Sequence, residues 1–94
     1  MDTMDKKLMK KPYLVYILEC SDSSYYTGCT SNIKERLKKH AAGHGSRYVR
    51  SRRPFKVVRY EKYWSAEEAY RREAEIKRIS RLEKEALIRH SSIS

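Results

Sequence analysis

The stretch Tyr13–Cys20 has the sequence YLVYILEC, which is rich in β-branched and aromatic residues and almost continuously apolar. An apolar run of this length predicts a β-strand that is buried on both faces. Turn-forming residues follow at 21–24, and Tyr25–Thr30 (YYTGCT) predicts a second strand, so the two segments form an antiparallel hairpin. Gly28 inside the second strand indicates a bulge or a close approach by another group.

Downstream of the hairpin, the pattern predicts a helix, a third strand and two more helices. Asn32 caps a helix that Gly43 ends, because asparagine is a favoured N-cap and glycine readily adopts the left-handed conformation at a helix end. Residues 55–63 alternate apolar and charged side chains, which is typical of a strand with one solvent-exposed face. Ser65 and Ser80 each cap a further helix. The predicted order of elements is β-β-α-β-α-α. This order predicts an α/β domain, more specifically one of the α+β class, in which helices flank a small, mainly antiparallel three-stranded sheet.

Length and hydropathy predict one small domain that does not enter a membrane. The chain has 94 residues, which fit one domain and leave no room for a separate specificity domain. No apolar run approaches the ~18–20 residues of a membrane span, and no signal peptide is visible. We therefore expect a cytoplasmic protein with a disordered basic arm at 1–11, the folded domain at 12–89 and a frayed tail at 90–94.

The charge of the chain favours a polyanionic partner. Lys and Arg total 22 and Asp and Glu total 12, which gives a net charge of +10. Nucleic acid is the commonest polyanion that such proteins bind. Residues 43–54 are predicted to form a loop, and the acid-free stretch 47–59 that overlaps it is the expected phosphate track. Its candidate binding side chains are Arg47, Arg50, Arg52, Arg53 and Lys56.

The two cysteines, Cys20 and Cys29, indicate neither a disulfide nor a metal site. A chain without a secretory signal keeps its thiols reduced, so no disulfide partner is expected. Zinc normally takes four ligands at close spacing, and the three histidines are not placed to complete such a set. Both cysteines are predicted to be free thiols at strand ends.

Three polar residues share helix faces with core residues. On the first helix, Arg36 and His40 lie on the apolar stripe at i,i+4 spacing. On the second helix, Glu73 falls between apolar positions, and a buried carboxylate needs a cation or a metal ion. Simpler alternatives stay open: Glu73 pairs with Lys77 at the surface, Arg36 extends into solvent, and His40 sits at a solvated helix end. The second helix carries three acid–base pairs at i,i+4 spacing, namely Glu67–Arg71, Glu68–Arg72 and Glu73–Lys77.

These polar residues belong to an ordered set of motifs along the chain. Val15-Tyr16-Ile17 comes first, followed by Tyr26-Thr27-Gly28, then by Arg36 and His40, and finally by Glu73. The set resembles the GIY-YIG nuclease family, most closely its short, stand-alone, UPF0213-like branch, and the likeness spans residues 13–88. Val15 stands in place of the glycine of the first motif, and Thr27 stands in place of the isoleucine of the second motif. The tyrosines of both motifs, Tyr16 and Tyr26, are retained.

The resemblance implies a small sheet flanked by helices, with one active site that hydrolyses phosphodiester bonds using one divalent ion, Mg²⁺ or Mn²⁺. By position, Glu73 would be the metal ligand, and Tyr16 would be the general base or would hold the attacking water. Tyr26 and His40 would position the water or a phosphate oxygen. Arg36 would bind the scissile phosphate and offset charge in the transition state.

The function implied by this resemblance is that of a metal-dependent endonuclease, a phosphodiester hydrolase that acts in DNA repair or processing on branched or damaged DNA. The alternative is a non-catalytic nucleic-acid-binding module that retains the fold and binds through the basic stretch 47–59. A third interpretation is a scaffold whose basic face meets an acidic protein. The residues do not discriminate DNA from RNA, and they do not indicate an oligomeric state.

Overall fold

The computed structural model describes residues 11–90, so nearly all of the predicted arm at 1–11 and tail at 90–94 lies outside the described residues. The elements are β1 (Tyr13–Cys20), β2 (Tyr25–Thr30), α1 (Ile33–Ala42), α2 (Arg47–Arg50), β3 (Phe55–Tyr63), α3 (Ala66–Arg78) and α4 (Arg81–Arg89). The strands form one antiparallel sheet in the order β2-β1-β3. The predicted fold class is therefore confirmed, with α2 as an additional short helix.

The strand β1 lies between the other two strands, which explains why its side chains are apolar in both directions. Val15 and Ile17 belong to the core on one face of the sheet, and Tyr16 and Leu18 belong to the core on the other. All four side chains are buried. The predicted two-sided burial of this strand is confirmed. A β-bulge between Ile17 and Leu18 shifts the pairing of β1 with β3.

Different helices cover the two faces of the sheet. Ala69 and Ile76 of α3, with partly buried residues of α4, pack on the first face, which we call the α3 face. Val49 of α2 and apolar residues of α1 pack around Tyr16 on the second face, which we call the α1 face. Each face therefore has its own small core, and β1 contributes to both.

The helices begin at side chains that accept hydrogen bonds from the backbone. Asn32 and Ser65 each accept one from the amide three residues further on, and Ser80 forms a full capping box with Glu83. Gly43 ends α1 in the left-handed conformation, with φ of 86°. These predicted boundaries are confirmed. None of the helices between residues 11 and 90 is long and apolar enough to cross a membrane.

The stretch 43–54, which was predicted to be a loop, contains the single-turn helix α2. Ser46 caps this turn by accepting a hydrogen bond from the Val49 amide at 3.3 Å. Val49 is fully buried against Tyr16 and anchors the turn to the sheet. The prediction of an uninterrupted loop is wrong here. The stretch contains four arginines, and the single apolar residue that anchors it, Val49, does not produce a helical pattern among them.

A network of charged side chains joins β3 to α3, and we call it the Glu61 network. The Glu61 carboxylate accepts hydrogen bonds from Arg59 (2.7 and 2.9 Å), Tyr63 (2.7 Å) and Arg72 (2.8 and 3.1 Å), so both of its oxygens are paired. Burial by itself would raise the pKa of Glu61, but these hydrogen bonds outweigh it and lower that pKa to about 2. Arg72 therefore binds β3 and not Glu68, its i,i+4 neighbour.

Candidate active site

Tyr16 on β1 and His40 on α1 meet on the α1 face. The Tyr16 hydroxyl lies 2.9 Å from Nε2 of His40, and both side chains are fully buried. Tyr26 on β2 completes the group, with its ring centroid 5.4 Å from that of His40 and 6.4 Å from that of Tyr16. Three of the predicted catalytic residues therefore form one cluster.

Two glycines make room for the Tyr16–His40 pair. Gly28 lies opposite Tyr16 in the pairing of β1 with β2, and a Cβ atom at Gly28 would collide with the Tyr16 hydroxyl. A Cβ atom at Gly45, in the connection between α1 and α2, would lie 2.5 Å from Nδ1 of His40. The close approach predicted at Gly28 is confirmed, and the approaching group is the Tyr16 phenol. The sequence did not single out Gly45.

Burial sets the protonation of the pair. Burial raises the pKa of Tyr16 to about 12, although the nearby Arg36 opposes this rise. Burial also lowers the pKa of His40, and the positive charge of Arg36 adds to that effect. At neutral pH, Tyr16 is therefore a phenol and His40 a neutral imidazole. Because His40 is fully buried, the alternative that placed it at a solvated helix end is wrong.

The second ring nitrogen of His40, Nδ1, is buried and has no hydrogen-bond partner among residues 11–90. With Nε2 bonded to Tyr16, Nδ1 stays unpaired whichever nitrogen carries the proton. An unpaired buried polar atom costs roughly 1–3 kcal/mol. A buried polar atom with no protein partner calls for an explanation, and a catalytic site is one that fits the neighbouring Tyr16 and Tyr26.

Arg36, from α1, and Glu73, from α3, both act on Cys29 of β2. Arg36, on α1, donates a hydrogen bond to the carbonyl oxygen of Cys29 at 3.4 Å. Burial raises the pKa of the Cys29 thiol, and the negative charge of Glu73, on α3, raises it further. The Glu73 side chain is 21% exposed and its carboxylate is 3.2 Å from the Lys77 ammonium. The predicted ion pair thus forms, at a half-buried position.

The donor set near Glu73 determines which metal ions the site could hold. Within residues 11–90, no group of three or more His, Cys, Asp or Glu side chains is arranged to hold a metal ion, which does not fit a structural zinc site. Mg²⁺ keeps several waters and binds through one or two carboxylates plus substrate phosphates, and Mn²⁺ also prefers oxygen ligands. A single half-buried carboxylate fits that mode of binding. Cys20 and Cys29 are free thiols, as predicted.

Two arginines of the predicted phosphate track hold the connection between α1 and β3. Arg52 pairs with Asp22 at 3.0 Å and donates to the Tyr48 carbonyl at 3.1 Å. Arg53 donates to the Ala41 carbonyl at 2.7 Å. Part of the positive charge in this stretch is therefore already engaged by the fold.

The other three members of the track remain accessible. Arg47 and Arg50 are exposed on α2. The Lys56 side chain is 73% exposed, although its ammonium lies 3.6 Å from Glu19. An exposed ion pair of this kind is weak, so all three side chains can still turn to a phosphate group.

Tyr48 packs against the cluster, although the sequence did not single it out. Its ring stacks on that of Tyr26, with centroids 6.1 Å apart and an interplanar angle of 28°. The Arg52 guanidinium also covers the Tyr48 ring, 3.8 Å from its centroid. The available signal was the apolar pair Tyr48-Val49 inside an arginine-rich stretch, since such a pair indicates a turn that is anchored to the core.

Comparison with known proteins finds the family that the ordered residue set predicts. A family model described as the GIY-YIG catalytic domain matches residues 12–86. The UPF0213 protein BH0048 of Halalkalibacterium halodurans is 50% identical over 76 residues, which cover 81% of each chain. A UPF0213 protein of Syntrophus aciditrophicus is 50% identical over 84 residues, which cover 88% of this chain and 95% of that one. The solution NMR structure of the protein EF2693 from E. faecalis matches with a TM-score of 0.61 and 34% identity over 85% of each chain.

Proposed function

The chain belongs to the GIY-YIG family of catalytic domains, and on that premise we propose that it is a nuclease that hydrolyses phosphodiester bonds in DNA with one divalent ion, Mg²⁺ or Mn²⁺. We expect it to act in the cytoplasm, during the repair or processing of DNA. The observation that carries the proposal is the buried Tyr16–His40 pair, which leaves one ring nitrogen unpaired. A site needed only for stability would gain from apolar side chains in these positions.

The charges around the pair suit the cleavage of a phosphodiester. The reaction gathers negative charge on the phosphate, and positive charges fixed beside it stabilise the transition state. Arg36 supplies one such charge and would bind the scissile phosphate. Glu73 would hold the divalent ion, which when bound polarises the phosphate and lowers the pKa of a water molecule. Because Lys77 pairs with Glu73 in the free protein, it must release this carboxylate first.

Tyr16 would orient the attacking water or take its proton. Its pKa of about 12 keeps it protonated at rest, so it can act as a base only after it has lost its own proton. Nε2 of His40 lies 2.9 Å away and can accept that proton when Nδ1 carries the ring hydrogen. In addition, Tyr26 and His40 would position the water or a phosphate oxygen.

The proposal is tested by incubating the protein with end-labelled duplex, single-stranded and branched DNA in the presence of Mg²⁺ or Mn²⁺. Glu73→Ala and Tyr16→Phe are the site variants, and Glu67→Ala is the matched control, because the Glu67 side chain lies on the same helix and is 86% exposed. We expect cleavage that requires the ion, is strongly slowed in both site variants and is retained in the control. Wild-type cleavage no faster than that of the two site variants would refute the proposal.

The same samples distinguish the nuclease from the non-catalytic binding module. The exposed side chains of Arg47, Arg50 and Lys56 support nucleic-acid binding in either case. Binding that is unaffected by Glu73→Ala, together with no ion-dependent turnover, would identify the module instead. RNA of the same sequence, incubated in parallel, decides which nucleic acid is the substrate.

A further inference from the structure

A cleft runs along the edge strand β2, beside the Tyr16–His40 pair. Its volume is about 200 Å³, and it is lined by Tyr25, Tyr26, Thr27, Tyr48, Lys77 and Lys84. Successive residues of a strand point to opposite faces of the sheet, and β2 forms one edge of this sheet. The cleft therefore crosses that edge from the α1 face to the α3 face, and we call it the β2-edge cleft.

The β2-edge cleft has two lysines and no carboxylate in its lining. Lys84 is half-buried, and its ammonium donates to the Ile79 carbonyl at 2.8 Å. None of the ion pairs among residues 11–90 includes Lys84. Lys77 is 54% exposed and pairs with Glu73, which lies outside the lining. The excess of positive charge suits an anionic ligand.

The aromatic rings of the cleft are already packed against protein groups. The Arg81 guanidinium lies 4.5 Å from the Tyr25 ring centroid, and that of Arg52 lies 3.8 Å from the Tyr48 centroid. Tyr48 also stacks on Tyr26. Stacking of nucleic-acid bases needs open aromatic faces, so this cleft is poorly suited to hold bases. Its tyrosine hydroxyls, by contrast, can donate to phosphate oxygens.

We infer that the β2-edge cleft binds the sugar–phosphate backbone of the substrate strand beside the cleaved bond, through Lys77 and Lys84, and that it does not read the bases. The inference rests on the proposed nuclease function, since Tyr26 belongs to both the cleft and the candidate active site. Lys77 connects the two as well. Its ammonium contacts Glu73 in the free protein, and because an exposed ion pair of this kind is weak, it can exchange that carboxylate for a phosphate of the bound strand without a divalent ion.

The test measures binding without cleavage, by fluorescence anisotropy of labelled single-stranded oligonucleotides in EDTA at a series of salt concentrations. The test variant is Lys77→Gln with Lys84→Gln. Its control is Lys38→Gln with Lys39→Gln, which removes the same charge from two exposed positions on α1. We expect the slope of log K against log salt to become shallower by about 1.4 in the test variant, since each lost contact with a single strand removes about 0.7. The control should leave the slope nearly unchanged.

Several outcomes would overturn the inference. Equal slopes in the test variant and the control would show that the two lysines do not contact the nucleic acid. Tighter binding of the wild-type protein to one oligonucleotide than to a scrambled sequence of the same composition would show that the cleft does read bases. If Lys84→Gln unfolds the protein, which circular dichroism would reveal, Lys77→Gln alone should still reduce the slope by about 0.7. Absence of binding by the wild type would overturn this inference, whereas binding without ion-dependent cleavage counts against the nuclease proposal alone.

Discussion

The Tyr16–His40 pair is buried and the Glu61 network is partly buried on the same small sheet, but their hydrogen-bonding capacity is used to different extents. On the α3 face, both oxygens of Glu61 accept hydrogen bonds from side chains of β3 and α3. On the α1 face, His40 Nδ1 has no partner among residues 11–90. Both oxygens of Glu61 thus have hydrogen-bond partners, whereas one ring nitrogen of His40 has none among these residues.

This difference indicates separate tasks for the two groups. A saturated carboxylate has no free lone pair for a ligand, and removing one partner from a buried ion pair is strongly destabilising. An incompletely paired group retains capacity for a proton or a phosphate oxygen, and perturbed titratable groups cluster at functional sites. We therefore propose that the Glu61 network stabilises the fold and that the Tyr16–His40 pair, with Arg36 and Glu73, serves the proposed chemistry.

The largest expected effect is a loss of cleavage on substitution of Glu73, with little change in the stability of the fold. We predict that Glu73→Gln slows cleavage about 1000-fold, or about 4 kcal/mol, because it removes the carboxylate proposed to hold the divalent ion. The free energy of unfolding should change by less than about 1 kcal/mol, since the partner Lys77 is half-exposed. Single-turnover cleavage and urea unfolding measure the two quantities. Cleavage within tenfold of the wild type would contradict the assignment.

The next largest effect is the reverse: substitution of Glu61 should lower the stability of the fold and leave the cleavage rate nearly unchanged. We predict that Glu61→Gln lowers the free energy of unfolding by about 3 kcal/mol, because it leaves Arg59 and Arg72 partly buried without their carboxylate. Urea unfolding measures the loss. At a temperature where the variant is folded, its cleavage rate should stay within about threefold of the wild type. A folded but inactive variant would show that the two groups do not have separate tasks.

A somewhat smaller effect is expected from the hydroxyl of the pair itself. We predict that Tyr16→Phe slows cleavage about 100-fold, the lower end of what a positioned acid–base group contributes. Phenylalanine keeps the ring against Gly28, so a large loss of stability is not expected beyond the unpaired Nε2 of His40, which costs about 1 kcal/mol. Tyr60→Phe is the matched control, since Tyr60 pairs with Tyr16 across the sheet but is 46% exposed. Equal cleavage rates in Tyr16→Phe and Tyr60→Phe would show that the Tyr16 hydroxyl takes no part in cleavage.

The smallest effect is a difference in pH dependence. The folded pKa of Glu61, about 2, lies below its ordinary value of 4.5, so the unfolded chain binds more protons in acid. The stabilisation is therefore fully present above about pH 4.5 and is lost as the pH falls towards 2. Between pH 5 and pH 3, wild-type stability should fall by about 1–2 kcal/mol more than that of Glu61→Gln. Parallel pH profiles of unfolding would contradict this role of the network.

The sequence predicts the elements that depend on local pattern. The continuous apolar run of β1 requires burial on both faces, and the caps at Asn32, Ser65 and Ser80 set the helix starts that the structure has. The i,i+4 spacing of Arg36 and His40 likewise predicts that both lie on the inner stripe of α1, where His40 is buried and Arg36 half-buried. These predictions succeed because their causes lie within a few residues of each other.

The features that depend on distant contacts were not predictable in the same way. Arg72 had a suitable local partner in Glu68, and only the packing of α3 against β3 brings Glu61 to it. Likewise, the need for glycine at position 45 arises from the His40 ring and not from the conformation of the turn. The exposed edge of β2, with its lysines from α3 and α4, exists only once the helices have packed.

The most direct test of the division between the two groups is the order in which backbone amide signals of the isotopically labelled protein broaden during a Mn²⁺ titration. The account predicts that signals around Cys29, Arg36 and Glu73 broaden first, because it assigns the oxygen-preferring ion to the Glu73 carboxylate, which has only a half-exposed ion pair to give up. Signals around Glu61 should broaden only at higher Mn²⁺ concentration, since both of its oxygens are already bonded and the ion is not held there. Broadening that begins around Glu61, or that spares Glu73, would contradict the account.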